Sequence, residues 1–183
     1  TATPQANLLI SALDVLSPEF GVLVDPGSGY CGLDVFHGSE VQYVISIDEA
    51  ELSLLDEGIP SSFKKALAMF FIGSAVRKIR GMKNGEKFSM LIHPSQKKID
   101  HQKVFDKVNN LMQIWRQNAT NKKDISYKML GEELLKAYKQ YQSDGVDLPP
   151  FSQVEEASLS IINCEYGLHK INGDQVTNNA DKF

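Results

Sequence analysis

IPSSFKKALAMFFIGSAVRKIRG, at residues 59–81, carries both a helix start and a helix stop. Pro60 suits the first turn of a helix, Ser61 or Ser62 can cap that turn, and Gly81 suits the residue just past the end. Apolar residues follow one side of the stretch at helical spacing. The stretch therefore predicts one long helix, and its last turns carry three cations, Arg77, Lys78 and Arg80.

The same periodicity predicts three more helices after this stretch, ending near Asn118, Tyr141 and Ile162. Between the first two helices lies KFSMLIH at 87–93, an apolar run that is ended by His93 and Pro94 and predicts a buried strand. The same signal predicts strands at 22–24 and 41–47. Because a strand followed by a helix is half of a βαβ unit, the sequence predicts an α/β fold.

The charges are distributed unevenly along the chain. Residues 1–63 contain ten acids and no Lys or Arg, whereas residues 77–107 contain nine basic and three acidic residues, a net charge of +6 in a chain of −4. This asymmetry favours a surface that meets an anionic partner such as phosphate. The alternative is a solvated helix face, because cations in the last turns of a helix also complement its dipole.

Complete catalytic motifs are missing from the sequence. There is no Gly-Lys dipeptide, so the phosphate loop of an ATPase does not occur. No Asp-x-Lys or Glu-x-Lys triplet supplies the common nuclease signature, although carboxylates from distant positions, with Asp25, Asp34 and His37 as candidates, can still converge on a cation. His93 and His101 are not at a zinc spacing, and His93 is interpreted as a polar contact to backbone or ligand, or as a structural histidine.

The compartment is predicted from the apolar runs and the cysteines. No run approaches the roughly 20 residues of a membrane span, and TATPQANLLI at the start has no pattern of a signal peptide. Cys31 and Cys164 fit no metal spacing and are predicted to be reduced thiols. The sequence therefore predicts a cytoplasmic protein that makes no membrane contact.

Several segments, taken in order, resemble known proteins. TATPQANLL at 1–9 resembles the third motif of superfamily-two helicases. FGVLVDPGSGYCGLDVF at 20–36, the stretch at 59–81 and FSMLIHPS at 88–95 resemble the Z-one domain family of bacterial and phage proteins, which are often labelled as endonucleases. The resemblance implies a piece of a helicase-like, ATP-driven protein that acts on DNA in restriction, defence or DNA repair, with the first two ATPase motifs expected upstream of Thr1.

This resemblance also implies an architecture. It is a helix-rich, RecA-like fold with short parallel strands, in which residues 1–47 end the first lobe, residues 48–86 form a linker and long helix, and residues 87–183 begin the second lobe. Binding partners would be DNA and the remaining domains of the parent protein. No cofactor is expected in this piece, whereas ATP and Mg²⁺ are expected for the parent.

The resemblance assigns roles to individual residues. Thr1, Ala2 and Thr3 would couple the nucleotide state to lobe closure, and Ser95 would lie where a second lobe touches a nucleic-acid phosphate. The remaining nucleic-acid contacts would come from Arg77, Arg80, His93, Lys97 and Lys98.

Two other functions stay open at this point. The chain could be a metal-dependent endonuclease domain, as the family's label suggests. It could also be an interaction module whose acidic first third binds a partner protein.

Overall fold

The computed structural model describes residues 20, 22, 25, 27–38, 44–54, 57–83, 86–121, 123–164 and 167–171. The chain divides into two compact units, residues 1–45 and 46–183. In the first unit the backbone N–H of Tyr30 donates to the carbonyl of Gly27 at 2.9 Å, and this turn leads into the short helix α1, Leu33–His37.

The second unit is a cluster of helices. Helix α2, Glu49–Ser53, leads into α3, Ser61–Ile79, which is the helix predicted from the stretch at 59–81. The three later helices are also confirmed, and their bounds are α4 Lys98–Thr120, α5 Ile125–Ser143 and α6 Phe151–Asn163.

Helices α5 and α6 lie at the centre of this unit. They pack against each other, and α3 and α4 each pack on both of them. Ile72 of α3, Leu134 of α5 and Ile162 of α6 are each fully buried in the shared core. Burial of apolar surface of this kind contributes most of the stability of a helical cluster. The other fully or almost fully buried side chains include Phe71, Ala75, Val104, Val108, Met112, Trp115, Leu130 and Val154.

The predicted α/β, RecA-like fold with parallel strands is wrong, although the expectation of a helix-rich chain is right. The ranges given above contain no strand. Residues 86–95, between α3 and α4, form neither helix nor strand, and the same is true of residues 44–48. Leu91 is 88% exposed, so the run at 87–93 is not the buried strand that its apolar composition predicts. Periodicity alone cannot separate a short buried strand from a connecting segment, and here the helices bury each other instead.

Among the described residues, the two glycines with positive φ follow the ends of helices. Gly81 has φ +93° after α3 and Gly145 has φ +76° after α5. At the end of α5, the N–H of Val146 donates to the carbonyl of Tyr141 at 3.0 Å, and the N–H of Gly145 donates to the carbonyl of Gln142 at 3.2 Å. This pair of bonds is the Schellman pattern. The predicted stop at Gly81 is confirmed.

Side chains from one element close the ends of others. Glu51 of α2 accepts the N–H of Ser62 at 3.1 Å, at the start of α3. Arg116 of α4 donates from Nε to the carbonyl of Ile162 at 3.2 Å, and its guanidinium also donates to the carbonyl of Cys164, at the end of α6. These contacts satisfy backbone groups that a helix cannot satisfy internally.

Among the described helices none is long and apolar enough to cross a membrane. Cys31 and Cys164 are both exposed free thiols, as predicted.

Candidate nucleic-acid interface

The basic residues at 77–107 lie at the end of α3, along the segment that joins α3 to α4, and in the first turns of α4. Eight of these nine side chains are exposed, and Lys107 alone is half-buried, with its Nζ donating to the carbonyl of Gly58 at 3.3 Å. The exposed residues are Arg77, Lys78, Arg80, Lys83, Lys87, Lys97, Lys98 and Lys103.

The two arginines at the end of α3 are already engaged within the chain. Arg77 pairs with Glu86 at 3.2 Å, and Arg80 pairs with Asp147 at 3.9 Å and also donates to the backbone carbonyl of Asp147. Both ion pairs are largely exposed, and exposed pairs of this kind stabilise a fold by about 0–1 kcal/mol at most. The arginines can therefore exchange their carboxylate partners for phosphate at little cost.

The turn before α4 is organised around Ser95. Its hydroxyl donates to Asp100 Oδ2 at 2.6 Å and accepts the N–H of Lys97 at 2.9 Å. Its carbonyl accepts from His101 Nε2 at 2.6 Å. Since a carbonyl can only accept, this nitrogen of His101 carries a proton.

His93 contacts this turn through its ring. The ring centroids of His93 and His101 are 5.2 Å apart at an interplanar angle of 89°, an edge-to-face arrangement. His93 itself is exposed, whereas His101 is half-buried. The structure thus brings His93 and Ser95 together with Lys97 and Lys98 at the start of α4.

Lys97 and Lys98 occupy the first positions of α4, where Lys97 is the N-cap residue in an extended conformation. The helix dipole disfavours cations at this end. The explanation that suits Arg77 and Lys78, in the last turn of α3, therefore does not apply to Lys97 and Lys98.

Other predicted sites are not tested by these contacts. Thr1, Ala2 and Thr3, the predicted coupling element, lie outside the described residues. Within the described part of the chain, no group of three or more His, Cys, Asp or Glu side chains could hold a metal ion. The side chain of Asp34 is not described, so a cluster with Asp25 and His37 stays a prediction.

Sequence reasoning missed Asp100 and His101 as partners of Ser95. A serine followed five residues later by an acid has no standard helix-start spacing, since the capping box places its acid three residues after the cap. Ser95 lies two residues before the N-cap residue Lys97, so its bonds form a turn ahead of the helix and do not cap it.

A protein-family model described as the Z1 domain matches residues 62–180. This range holds nearly all of α3 and the whole of α4 to α6, together with the segment that carries His93 and Ser95. No curated protein and no solved structure matches the chain. The matched range is well over half of the sequence, and the chain belongs to the Z1 domain family.

Proposed function

We propose that the second unit of this chain contacts the phosphate backbone of DNA, as the DNA-contacting part of a larger ATP-driven protein. The observation that carries the proposal is the exposure of eight of the nine basic side chains at 77–107, at the end of α3, along the connecting segment and in the first turns of α4. Because the chain as a whole carries a net charge of −4, attraction to DNA must come from a local surface of this kind.

Lys97 and Lys98 give the strongest support. The helix dipole does not account for two adjacent cations at the start of α4, whereas phosphate binding would, because backbone N–H groups at a helix start also attract anions. Arg77 and Arg80 would add further contacts after they exchange their exposed carboxylate partners.

The proposed contacts are with the phosphate backbone of DNA and not with the bases. Contacts of Lys and Arg with phosphate position a protein on DNA without sequence information. ATP and Mg²⁺ would be held by other parts of the parent protein, because this chain lacks the phosphate loop.

The test is the affinity of the 183-residue chain for labelled duplex and single-stranded DNA, measured by fluorescence anisotropy over a range of salt concentrations. A plot of log affinity against log salt has a negative slope. In the variant Lys97→Ala with Lys98→Ala, the magnitude of this slope should decrease by about 2, since each lost phosphate contact decreases it by about 1. Lys128→Ala with Lys139→Ala removes the same charge from exposed positions on α5 and should leave the slope near that of the unaltered chain.

Two outcomes would contradict the proposal. One is the absence of binding at low salt, and the other is an equal loss of affinity in both double variants, which would indicate a response to net charge alone. Metal-dependent nicking of plasmid in Mg²⁺ or Mn²⁺ that is lost in His93→Ala would favour the endonuclease alternative instead. The role of the acidic first third in binding a partner protein stays a prediction.

A further inference from the structure

The hydroxyl of Ser95 has no proton to offer to a phosphate. A serine hydroxyl carries one proton, and that of Ser95 is donated to Asp100 Oδ2 at 2.6 Å. Phosphate oxygens accept hydrogen bonds, so a direct contact would require the bond to Asp100 to break. The carboxylate of Asp100 would also repel an approaching phosphate.

What Ser95 does hold is the backbone of the two lysines. Its hydroxyl accepts the N–H of Lys97, and the carbonyl of Lys97 in turn accepts the N–H of Asp100 at 3.1 Å and that of His101 at 3.4 Å. Lys97 has no capping side chain of its own to close the helix start. Ser95 therefore fixes the backbone of the residue immediately before the helix.

The bonds of Ser95 enclose the Lys97–Lys98 pair from both sides. The hydroxyl and the carbonyl of Ser95 lie before the pair, while Asp100 and His101, which contact them, lie after it. Removing either the hydroxyl or the carboxylate would release the turn that carries the two lysines, without touching the lysines themselves.

We propose that Ser95 is a positioning residue for the DNA contact, acting through Asp100 to fix the backbone of Lys97 and Lys98. The inference rests on the proposed function, because it concerns the same surface. For one substitution, this role reverses the expected direction of the change in DNA affinity. Loss of an acidic residue beside a DNA-binding surface ordinarily strengthens binding, whereas loss of Asp100 should weaken it.

The experiment compares two acids of α4 in the 183-residue chain. Asp100→Ala should lower affinity for duplex DNA several-fold, while Asp106→Ala, whose carboxylate is exposed and accepts from Gln102 at 2.9 Å, should leave affinity unchanged or raise it slightly. Asp100→Asn keeps an oxygen that accepts from Ser95 and should bind at least as tightly as the unaltered chain. Ser95→Ala should weaken binding and Ser95→Thr should restore it, because threonine keeps the hydroxyl.

The outcomes separate the two proposals. If the unaltered chain binds no DNA, the proposed function fails. If it binds, and Asp100→Ala binds as tightly as Asp106→Ala or more tightly, then only the positioning role is overturned, since Ser95 would be free to meet the phosphate directly. Far-ultraviolet circular dichroism of each variant checks that the helices remain formed. If Asp100→Ala is unfolded, the test is instead the comparison of Ser95→Ala with Ser95→Thr. Weak DNA binding by both of these variants would count against the positioning role.

Discussion

Two glycines inside helices differ in what surrounds them. A Cβ added at Gly131 of α5 would lie 2.9 Å from Glu155 Oε1, the flexible end of a half-buried side chain. A Cβ added at Gly73 of α3 would lie 3.1 Å from the hydroxyl oxygen of Tyr141, which donates to the carbonyl of Met69 at 3.3 Å. Burial also raises the pKa of the Tyr141 hydroxyl, so that group stays neutral and keeps its proton for this bond.

Gly131→Ala is therefore expected to stabilise the chain by roughly 0.5–1 kcal/mol, because alanine is the better helix former and Glu155 can move aside. Gly73→Ala should gain less than this or lose stability, since Tyr141 is held at both its ring and its hydroxyl. Urea unfolding followed by circular dichroism measures both free energies. Equal gains in the free energy of unfolding of the two variants would show that the side chain of Tyr141 moves aside as readily as that of Glu155.

At the scale of elements, the start of α3 depends on a residue from α2. Hydrogen bonds from Ser62 and Ser61 hold the pKa of Glu51 below its ordinary value of 4.5. A lowered pKa in the folded chain means that the ionised carboxylate stabilises the fold at neutral pH. This contribution is lost as the pH falls below the ordinary value and through the lowered one.

We therefore expect Glu51→Ala to lower the melting temperature at neutral pH. The difference from the unaltered chain should shrink as the pH falls below 4.5 and through the lowered pKa of Glu51 in the folded chain, because the carboxylate then becomes protonated in both states. The hydrogen bond from Ser126 lowers the pKa of Asp124, the cap of α5, in the same way, but Asp124 is present in both proteins and cancels in the comparison. A difference that stays constant with pH would contradict the role of the ionised carboxylate.

The helices were predictable and the connections between them were not. The apolar spacing within 59–81 and the glycine at 81 define α3, because local periodicity and an end signal suffice for a long helix. The run at 87–93 has the composition of a strand, but a strand needs a neighbour to bond, and no local pattern says whether one exists.

The candidate site was likewise predictable from the sequence only in part. Lys97 and Lys98 lie in the basic stretch at 77–107, which the sequence shows directly, and the family resemblance made them candidate contacts. The partners of Ser95, by contrast, become visible only once the helix start at Lys98 is known, since Asp100 and His101 reach back across that start.

At the scale of the whole molecule, stability rests on the core that the four long helices share. Ile72 of α3 is fully buried where α3 meets the rest of the core. Ile72→Ala should lower the free energy of unfolding by about 2–5 kcal/mol, the cost of a buried cavity. Ile125→Ala, at a position 74% exposed, should change it by less than about 0.5 kcal/mol. Chemical denaturation measures both values, and similar losses at the two positions would argue against a core that depends on Ile72.

The bond network of Arg116 means that α6 does not carry everything it needs within its own sequence. The last turn of α6 contains no basic residue, and its terminal carbonyls take their counter-charge from a guanidinium that lies about 46 positions earlier in the chain. An isolated peptide with the sequence of α6 would lack that charge as well as its apolar neighbours. Formation of α6 is therefore a collective event, in which the end of one helix is completed only when another has already docked.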